Sequence, residues 1–522
     1  MRTKTLFIVI LGFLVLSIGG PAYGWQGRMG GMGDPFGLVE DESDFLIHPA
    51  GIADGKGVNF YGNYRFTWTD VTDWDYTLKI FAPFLLERDP YRTSGDEWEH
   101  NALLGAAMPL GPGRMGIFFN YAGKRGDYDG TNHQETLGPV FYHSYKMESD
   151  LDSFALRLLY GLPMGKFKLG GEIQLAYRRE ENKTSITEDW AGGGAGPWAF
   201  YTNYPFGGGD WYLNLFPFMF PYDSKYWEGL LKGSLKGEMG PVKIAFTVKG
   251  GLILWGDNKY QFTASDPVGP SFIDGSGDVK GWSLGSDLWL RYPLSKDLSL
   301  PFLLKINYQK KTKTGEGSGE GSALGFGAGS GTGEYKSHEK NFQVDIGGGV
   351  DKEFNKGTRV AAGIYYSYIK NINNFLGSGF IPSTGDWGII NYSKYPDLTE
   401  HRMTLRIAGE KEMSPMIAMR MGLNFFYAWG KAEFNYSEVN TAPSGFFYNT
   451  SFDGSRWGIG GWLGGTVKLE RFSLEPFLGG GYQKTKGSWA GPGAGSGMGP
   501  FFLDINGVRN EWFIGGGFSI KF

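Results

Sequence analysis

Cysteine is absent from this 522-residue sequence, and its absence excludes disulfides, thiolate metal sites and lipid attachment through a cysteine. Histidine is scarce: none of the six histidines has the spacing of metal ligands or belongs to a serine and acidic-residue arrangement typical of hydrolases. The sequence therefore favours a protein that is not an enzyme, with no catalytic residue, no metal and no cofactor. A formal net charge of −4 and the lack of a basic tract also argue against nucleic acid as a partner.

Long hydrophobic runs are confined to the amino terminus. Arg2 and Lys4 precede an apolar run over 6–18, and the sequence Ala-Tyr-Gly at 22–24 resembles a cleavage site. This layout predicts a secretory signal peptide over residues 1–24. A membrane anchor is the alternative, although the run is short for a transmembrane helix. Beyond residue 24 no apolar run is long enough for a membrane helix, so crossing a membrane would require a β-barrel.

Glycine and aromatic residues are abundant instead. There are 86 glycines, 16% of the residues are aromatic, and 41% are hydrophobic. Average usage is about 7% glycine, and glycine disfavours helices while suiting tight turns and crowded barrel interiors. The hydrophobic content is too low for a helical membrane protein. It fits a barrel, in which only one face of each strand meets lipid.

The last stretch, residues 510–522, alternates with a period of two. One face carries apolar residues and ends with the terminal Phe522, and the other carries small or polar residues such as Ser519 and Lys521. In a barrel, the apolar face meets lipid and this strand closes the cylinder against the first. A terminal strand that ends in phenylalanine resembles the signal that outer-membrane proteins present to the barrel-assembly machinery, which is therefore an expected partner. The alternative is the last strand of a soluble β-domain.

From residue 57 onward, the chain reads as a series of alternating segments. One strand comes first, seven pairs joined by turns of a few residues follow, and one strand ends the chain. Tight turns that alternate with long loops are typical of outer-membrane barrels. The predicted fold is an all-β, transmembrane antiparallel β-barrel of about 16 strands (14–18) over residues 57–522. The connections predicted as long external loops are 70–98, 122–149, 181–225, 257–277, 313–334, 373–398, 431–452 and 488–509.

Residues within the predicted strands alternate between apolar and polar. Between 166 and 178, Leu169, Ile173 and Leu175 alternate with Glu172 and Gln174. Each apolar face is long enough for a lipid-facing band of about 25 Å. A soluble β-sandwich is the alternative, but it would need shorter strands and would rarely show this loop asymmetry. The aromatic residues that fit an interfacial girdle are Tyr160, Tyr177, Tyr292, Tyr308, Tyr427, Trp429 and Trp512.

The opposite strand faces carry charged residues that a barrel would place in its lumen. Such charges either line a wet channel or pair with one another and brace the wall. Mutual pairing is the expected role for any single residue. Arg402, Arg406 and Glu410 share one strand face, which makes that face the best candidate for a cationic patch that meets a carboxylate. The predicted lumen or substrate residues are Arg157, Arg178, Arg402, Arg406 and Arg420.

The predicted loop over 189–225 is unusually dense in aromatic residues. Exposed apolar patches often mark binding sites, so folding over the barrel mouth, an apolar entry site and contact with a partner are all open. A loop that packs on itself is an equal alternative. The glycine-rich stretches at 315–322 and 491–500 lack the lysine, the following serine or threonine, and the helix of a phosphate loop, and they fit flexible external loops.

Residues 25–56 precede the first strand and contain a glycine-rich part, an acidic run at 40–42 and the sequence H-P-A-G-I at 48–52. This order resembles the opening of the FadL-type outer-membrane transporters of hydrophobic compounds (long-chain fatty acids and aromatic hydrocarbons) and of the related PorV-like barrels. His48 stands where that family usually has asparagine, and the fatty-acid transporters have 14 strands. A simple turn into the first strand is the alternative for 48–52. The resemblance implies an N-terminal plug over 25–56 inside the barrel, with the motif residues Asp41, His48, Pro49 and Ala50.

These features together predict an outer-membrane protein of a Gram-negative bacterium, with outer-membrane lipid as a partner. The resemblance implies passive uptake of hydrophobic or amphipathic, fatty-acid-like small molecules, which are captured by external loops, pass the plug and leave along the wall. Two alternatives stay open: a general diffusion porin with a water-filled polar lumen, and a structural barrel that docks a partner protein. Electrical conductance distinguishes a porin, which opens widely, from a plugged transporter.

Overall fold

A computed structural model gives the fold and describes residues 29, 32, 37–81, 85–87, 91–135, 140–191, 222–266, 269–323, 327–355, 357–378, 397–438, 446–491 and 501–522. The predicted signal peptide and most of the aromatic loop 189–225 lie outside these residues. The described helices, the 3-10 helices η1 (Glu42–Leu46) and η2 (Pro49–Asp54), are both too short to cross a membrane. The strands are β1 (Asn59–Phe81), β2 (Leu85–Glu87), β3 (Tyr91–Leu110), β4 (Gly113–Glu135), β5 (Val140–Met164), β6 (Phe167–Ala191), β7 (Tyr222–Met239), β8 (Val242–Asp266), β9 (Gly269–Pro293), β10 (Leu298–Ala323), β11 (Gly327–Asn355), β12 (Thr358–Ser378), β13 (Asp397–Ser414), β14 (Ile417–Glu438), β15 (Phe446–Leu469), β16 (Phe472–Gly491) and β17 (Phe501–Lys521).

The strands form one closed antiparallel sheet. Each long strand pairs with the next along the chain, and β1 pairs with both β3 and β17, which closes the barrel. The closing register runs from Asn59↔Lys521 to Ile80↔Phe501. β2 is a three-residue strand that pairs with the end of β1. Seventeen strands less this short one leave sixteen in the wall, so the predicted barrel and its strand number are confirmed.

The seven turns that the sequence predicts as tight lie at one end of the barrel, called here the tight-turn end, where β1 begins and β17 ends. Four of these turns contain a glycine with positive φ: Gly111 (57°), Gly165 (63°), Gly240 (61°) and Gly357 (86°). This backbone region is strained for residues with a Cβ, so glycine fits these hairpins. Among the described residues, Glu470 in the β15–β16 turn is the one non-glycine residue with positive φ, at 42°.

At the opposite end, the strands are longer than the apolar alternation predicts. β4 and β5 continue through 122–135 and 140–149, and strand likewise replaces part of every connection predicted as a long loop. The physical reason is that β-pairing continues beyond the lipid-facing band, where the strict alternation of apolar and polar residues is no longer required. The period-two apolar signal stops at the edge of that band, although the hydrogen-bonded ladder does not.

The outward face of the barrel is apolar, as the alternation predicts. On β6, Ile173 is 60% exposed, whereas the neighbouring Glu172 is 2% exposed and faces the lumen. Among the described residues no second layer covers this outer face, which is the surface that a transmembrane barrel presents to lipid. Other outward apolar residues are Leu231, Leu284, Ile364, Leu423, Leu463 and Ile514.

Tryptophans mark the edge of the apolar band on the side away from the tight turns. Each lies about 10 to 14 residues into its strand, counted from the tight-turn end, which corresponds to roughly 25–35 Å for tilted strands. This position fits an interfacial aromatic belt. Within the described part of the chain, the exposed tryptophans are Trp68, Trp255, Trp282, Trp429, Trp457 and Trp512.

Candidate functional site: the barrel lumen and its amino-terminal segment

Residues 37–56, called here the inner segment, are built from η1 and η2 and their caps. The Asp41 carboxylate accepts a hydrogen bond from the Ser43 backbone N at 2.9 Å, and the Asp44 carboxyl accepts one from the Asp41 backbone N at 3.0 Å. This reciprocal capping box fixes the start of η1. Pro49 occupies the first turn of η2, where its missing N–H has no intrahelical partner to lose.

His48 and Ala50 anchor the inner segment on the wall. The His48 Nδ1 lies 2.7 Å from Thr247 Oγ1 on β8, and its ring meets the Trp289 ring edge-on, with 4.4 Å between centroids. The Ala50 backbone N donates to Ser234 Oγ on β7 at 2.6 Å. The residues predicted as a plug motif therefore contact three neighbouring strands of the barrel.

Cationic side chains of the wall bind backbone carbonyls of the inner segment. Arg157 Nη2 donates to Leu46 O at 2.6 Å, and Lys232 Nζ donates to the same oxygen at 3.1 Å. Arg291 Nη2 donates to Leu38 O at 2.8 Å. Buried carbonyls that lack a backbone partner, such as those at the end of a helix, need such donors, and charged donors make the stronger hydrogen bonds.

Carboxylates of the inner segment pair with lysines near the tight-turn end of the wall. These pairs are partly exposed, so each contributes about 0–1 kcal/mol at most. Together they match an acidic segment to a basic rim. The pairs are Glu40 with Lys243 (3.2 Å), Glu42 with Lys521 (2.8 Å), and Asp54 with Lys236 (2.9 Å) and with Lys168.

Two apolar clusters complete the contact between the inner segment and the barrel. In the first, the Phe45 ring packs against the rings of Tyr61 and Phe118, with centroids 5.7 and 5.4 Å away. The first cluster contains Phe45, Leu46, Ile52, Tyr61, Leu103, Phe118 and Leu159. The second contains Met29, Met32, Leu38, Val39, Ala361, Tyr365, Ala408 and the partly buried Leu303.

The strands that contact the inner segment or the adjoining Met29 and Met32 surround the barrel axis. They include β1, β3 to β13 and β17, and only a segment inside a closed barrel can reach so many strands. The approach is close at Gly170 on β6, where an added Cβ would overlap the backbone of Ala50. The inner segment thus occupies the lumen at the tight-turn end.

Two titratable groups of the inner segment are buried in uncharged form. Burial raises the pKa of the Asp44 carboxyl to about 8, with a further rise from the neighbouring Asp41. Burial lowers the pKa of His48 to about 3, and Asp287 opposes this effect only in part. At neutral pH both groups are therefore neutral, and Asp44 Oδ1 and His48 Nε2 are without a hydrogen-bond partner. The lysines facing His48 that also lower its pKa are Lys232, Lys236 and Lys249.

The structure places Arg157 and Arg178 on neighbouring strands, each beside a carboxylate. Arg157 Nε lies 2.8 Å from Glu172 Oε1, and Lys232 on β7 also contacts Glu172, at 3.0 Å. Arg178 lies 3.1 Å from Glu228. Besides this pairing, Arg157 holds the inner segment through Leu46 O, a role that the sequence alone did not indicate.

Arg402, Arg406 and Arg420 lie on β13 and β14, eight strands away along the sixteen-strand wall, so the five predicted arginines do not form one site. Arg420 is nearly buried and its Nε donates to Glu410 Oε2 at 2.5 Å, which fits mutual bracing of the wall. Arg406 lies over the Tyr365 ring, 5.1 Å from its centroid.

Arg402 takes part in a different arrangement. Its Nη2 lies 2.7 Å from Glu400 Oε1, while Arg456 Nη2 on β15 lies 2.6 Å from Glu400 Oε2. The Arg402 guanidinium also lies over the Phe426 ring, 5.5 Å from its centroid. Arg402 and Arg456 therefore share one carboxylate in the lumen above an aromatic ring.

Sequence reasoning missed a set of inward-facing aromatic residues on β14–β17, called here the lumen aromatic cluster: Phe426, Trp462, Phe477 and Phe513. The Trp462 and Phe513 centroids are 5.9 Å apart, and those of Phe477 and Phe513 are 6.4 Å apart. Each ring lies over a glycine of its own or a neighbouring strand. The sequence signal for this cluster is an aromatic residue on the same sheet face as a nearby glycine, because a glycine has no side chain and lets a ring lie flat on the sheet. The glycines concerned are Gly458, Gly460, Gly479 and Gly515.

A polar bridge spans part of the lumen farther from the tight turns. Lys311 Nζ on β10 lies 3.1 Å from Glu180 Oε2 on β6, four strands along the wall, and 3.0 Å from Glu339 Oε2. The Tyr226 hydroxyl donates to Glu180 Oε1 at 2.7 Å. These contacts join distant parts of the wall and make this side of the lumen polar. The opposite side, over β14–β17, is aromatic.

No cluster of potential metal ligands occurs among the described residues.

No family model matches the sequence, and no curated protein matches it. Among solved structures, similar chains include a deltaS2 mutant of the monoaromatic hydrocarbon channel TodX, with a TM-score of 0.39, 10% identity, and coverage of 92% of this chain and 94% of that chain. A Pseudomonas aeruginosa FadL homologue has a TM-score of 0.37 and 11% identity, covering 95% of this chain and 98% of that chain. The toluene transporter TbuX of Ralstonia pickettii has a TM-score of 0.37 and 12% identity, covering 97% and 99%. FadL-type proteins, which the amino-terminal sequence resembles, are among the solved structures that the comparison found.

Proposed function

We propose that this protein is a passive channel in the outer membrane of a Gram-negative bacterium that admits hydrophobic or amphipathic, fatty-acid-like small molecules. Residues 25–56 act as its plug. The observation that carries the proposal is the inner segment, which lies in the lumen and is bound to strands on most sides of the barrel. A barrel built only as a scaffold has no evident need for a segment held inside it by buried hydrogen bonds.

The two sides of the lumen fit an amphipathic solute. The lumen aromatic cluster provides an apolar surface, and the wall between β5 and β9 carries the polar contacts that hold the inner segment. On the outside of the latter wall, a shallow apolar depression of about 760 Å³ lies beside Gly171, Gly233 and Gly250. Because these outward glycines have no side chains, the wall is thin there, which supports release of the solute towards the lipid near the inner segment.

Uptake of labelled oleate tests the proposal. The full chain, expressed in a Gram-negative host that lacks its own fatty-acid channel, is expected to increase oleate uptake. Permeability to a small hydrophilic antibiotic should stay unchanged, because the inner segment closes the polar path. Increased antibiotic entry without oleate uptake would instead support a general porin, and no change in either would leave a structural role.

A further inference from the structure

Among the described side chains, the two arginines that share Glu400 have this single carboxylate between them, which leaves one positive charge uncompensated at the lumen surface. Arg402 contacts Glu400 Oε1 at 2.7 Å, and Arg456 contacts Glu400 Oε2 at 2.6 Å and Oε1 at 2.8 Å. Both arginine side chains are 31% exposed, whereas Glu400 is 12% exposed. A guanidinium has five N–H donors, and one shared carboxylate engages only some of the ten. A neighbouring inward carboxylate, Asp345, is opposite Lys305 in the β10–β11 register, and both of its oxygens accept hydrogen bonds from Gln343 Nε2, at 3.0 and 2.9 Å.

An aromatic surface adjoins this charge. The Phe426 ring stands 5.5 Å below the Arg402 guanidinium and lies flat over Gly458, where an added Cβ would be 2.5 Å from the ring. Trp462 lies in the same way over Gly460, the next inward residue of β15. Because both rings are flat on the sheet and half-buried, they present their faces to the lumen. Ring faces favour flat, aromatic partners through offset stacking.

We propose that Arg402, Arg456, Phe426 and Trp462 form a lumen binding site for aromatic carboxylates. The carboxylate takes the free guanidinium donors, for which the planar fork of arginine is well matched. The aryl group stacks on Phe426 and extends towards Trp462 and the inner segment. This inference rests on the proposed function and narrows its substrate from amphipathic molecules in general to planar aryl acids.

A second cluster in the lumen has the same local geometry but a different charge balance. Glu97 is shared by Lys124 at 2.7 Å and Arg509 at 2.5 Å. Glu99 and Glu511 add two carboxylates that interact electrostatically within this cluster, and Arg65, 4.0 Å from Glu511, adds one guanidinium. Three cations and three carboxylates leave this cluster neutral. Arg509 is therefore a matched control for Arg402 and Arg456.

The test is equilibrium binding of 2-naphthoate to the full chain in detergent micelles, compared with the neutral 2-naphthalenemethanol and with decanoate. We expect 2-naphthoate to bind more tightly than the alcohol, and Arg402→Gln and Arg456→Gln each to weaken it about tenfold or more, since charge-assisted hydrogen bonds are lost. Arg402→Lys keeps the positive charge but not the planar guanidinium, so its affinity for 2-naphthoate should lie between those of the natural chain and Arg402→Gln. Phe426→Leu should weaken 2-naphthoate more than decanoate, and Arg509→Gln should leave both unchanged.

Each outcome separates the site from the general function. If the alcohol and decanoate bind but 2-naphthoate affinity responds no more to Arg402→Gln or Arg456→Gln than to Arg509→Gln, the aryl-carboxylate site is refuted and the hydrophobic channel stands. If none of the three compounds binds the intact chain, both proposals fail. Heat-modifiable migration on a gel verifies that each variant is a folded barrel, and the Arg402→Lys series keeps the test decisive if Arg402→Gln does not fold.

Discussion

Gly170 on β6 is the wall residue at which a substitution should displace the inner segment most directly. A Cβ at this position would overlap the backbone N and Cα of Ala50 and the carbonyl carbon of Pro49. Backbone atoms cannot move aside as the end of a flexible side chain can, so either the wall or the inner segment must shift. Because β6 is hydrogen-bonded to both neighbours in an unbroken ladder, we expect the inner segment to move.

The size of the effect follows from the cost of overpacking. Inserting one methyl group into a packed site typically costs about 1–3 kcal/mol. If that cost falls on docking, Gly170→Ala raises the ratio of undocked to docked inner segment about 5- to 150-fold. Gly171→Ala is the control at the adjacent residue: it faces outward, and its nearest new contact would be Lys232 O at 3.7 Å. It should leave docking unchanged.

Thiol labelling reads out docking directly, because the natural chain has no cysteine. Ser43 is 2% exposed in the inner segment, so Ser43→Cys should react slowly with a maleimide while the segment is docked. Adding Gly170→Ala should speed labelling by the factor above, and adding Gly171→Ala should not. Equal labelling rates in all three proteins, with the barrel folded, would refute the claim that Gly170 is in close contact with a docked segment.

Three further predictions concern what holds the inner segment. First, Asp44 stabilises docking below its free pKa near 3.8 and loses this effect as pH rises towards 8, whereas His48 stabilises docking above 6.5 and loses it as pH falls towards 3. Between pH 5 and 6.5 the two groups change the free energy of docking in opposite directions, so the labelling rate of Ser43→Cys in the otherwise natural chain should vary little there. With Asp44→Asn added, only the His48 effect remains, and the free energy of docking should fall by about 2 kcal/mol from pH 6.5 to 5. A labelling rate that does not change with pH in that variant would contradict a neutral, buried His48. Second, Arg157→Met leaves Glu172 in a buried site with Lys232 alone and removes a donor from Leu46 O. The free energy of unfolding should therefore fall by about 3–5 kcal/mol, and an unchanged melting temperature would contradict the pairing of Arg157 with Glu172. Third, Lys243→Gln removes a half-exposed partner of Glu40 and should weaken docking by no more than about 1 kcal/mol, with a larger loss showing that the rim pairs dominate.

The strand number was predictable because only the lipid-facing band imposes apolar alternation. Leu169, Ile173 and Leu175 are apolar because they face outward, and tight turns separate such segments cleanly. The upper parts of the strands were not predictable in this way. Residues 313–323 and 327–334, for example, pair as β10 and β11 although their sequence is rich in glycine, serine and charge, because backbone pairing there needs no apolar face.

The candidate site was predictable only as a list of inward charges. Sequence gives the phase of Arg402 and Arg420 but not their partners, since Arg402 shares Glu400 with Arg456 across an intervening strand and Arg420 pairs with Glu410. The lumen aromatic cluster was not predicted, because aromatic residues in a barrel are expected at the lipid interface. Their inward phase shows only when each ring is matched to the glycine beneath it.

Liposome swelling with a small sugar shows whether residues 25–56 close the barrel, when the full chain is compared with one lacking those residues. We expect little swelling with the full chain and rapid swelling after the deletion, because the inner segment occupies the lumen at the tight-turn end. Rapid swelling with the intact chain would contradict a plugged channel and favour a general porin. Slow swelling with a folded deletion variant would show that residues 25–56 do not close the path.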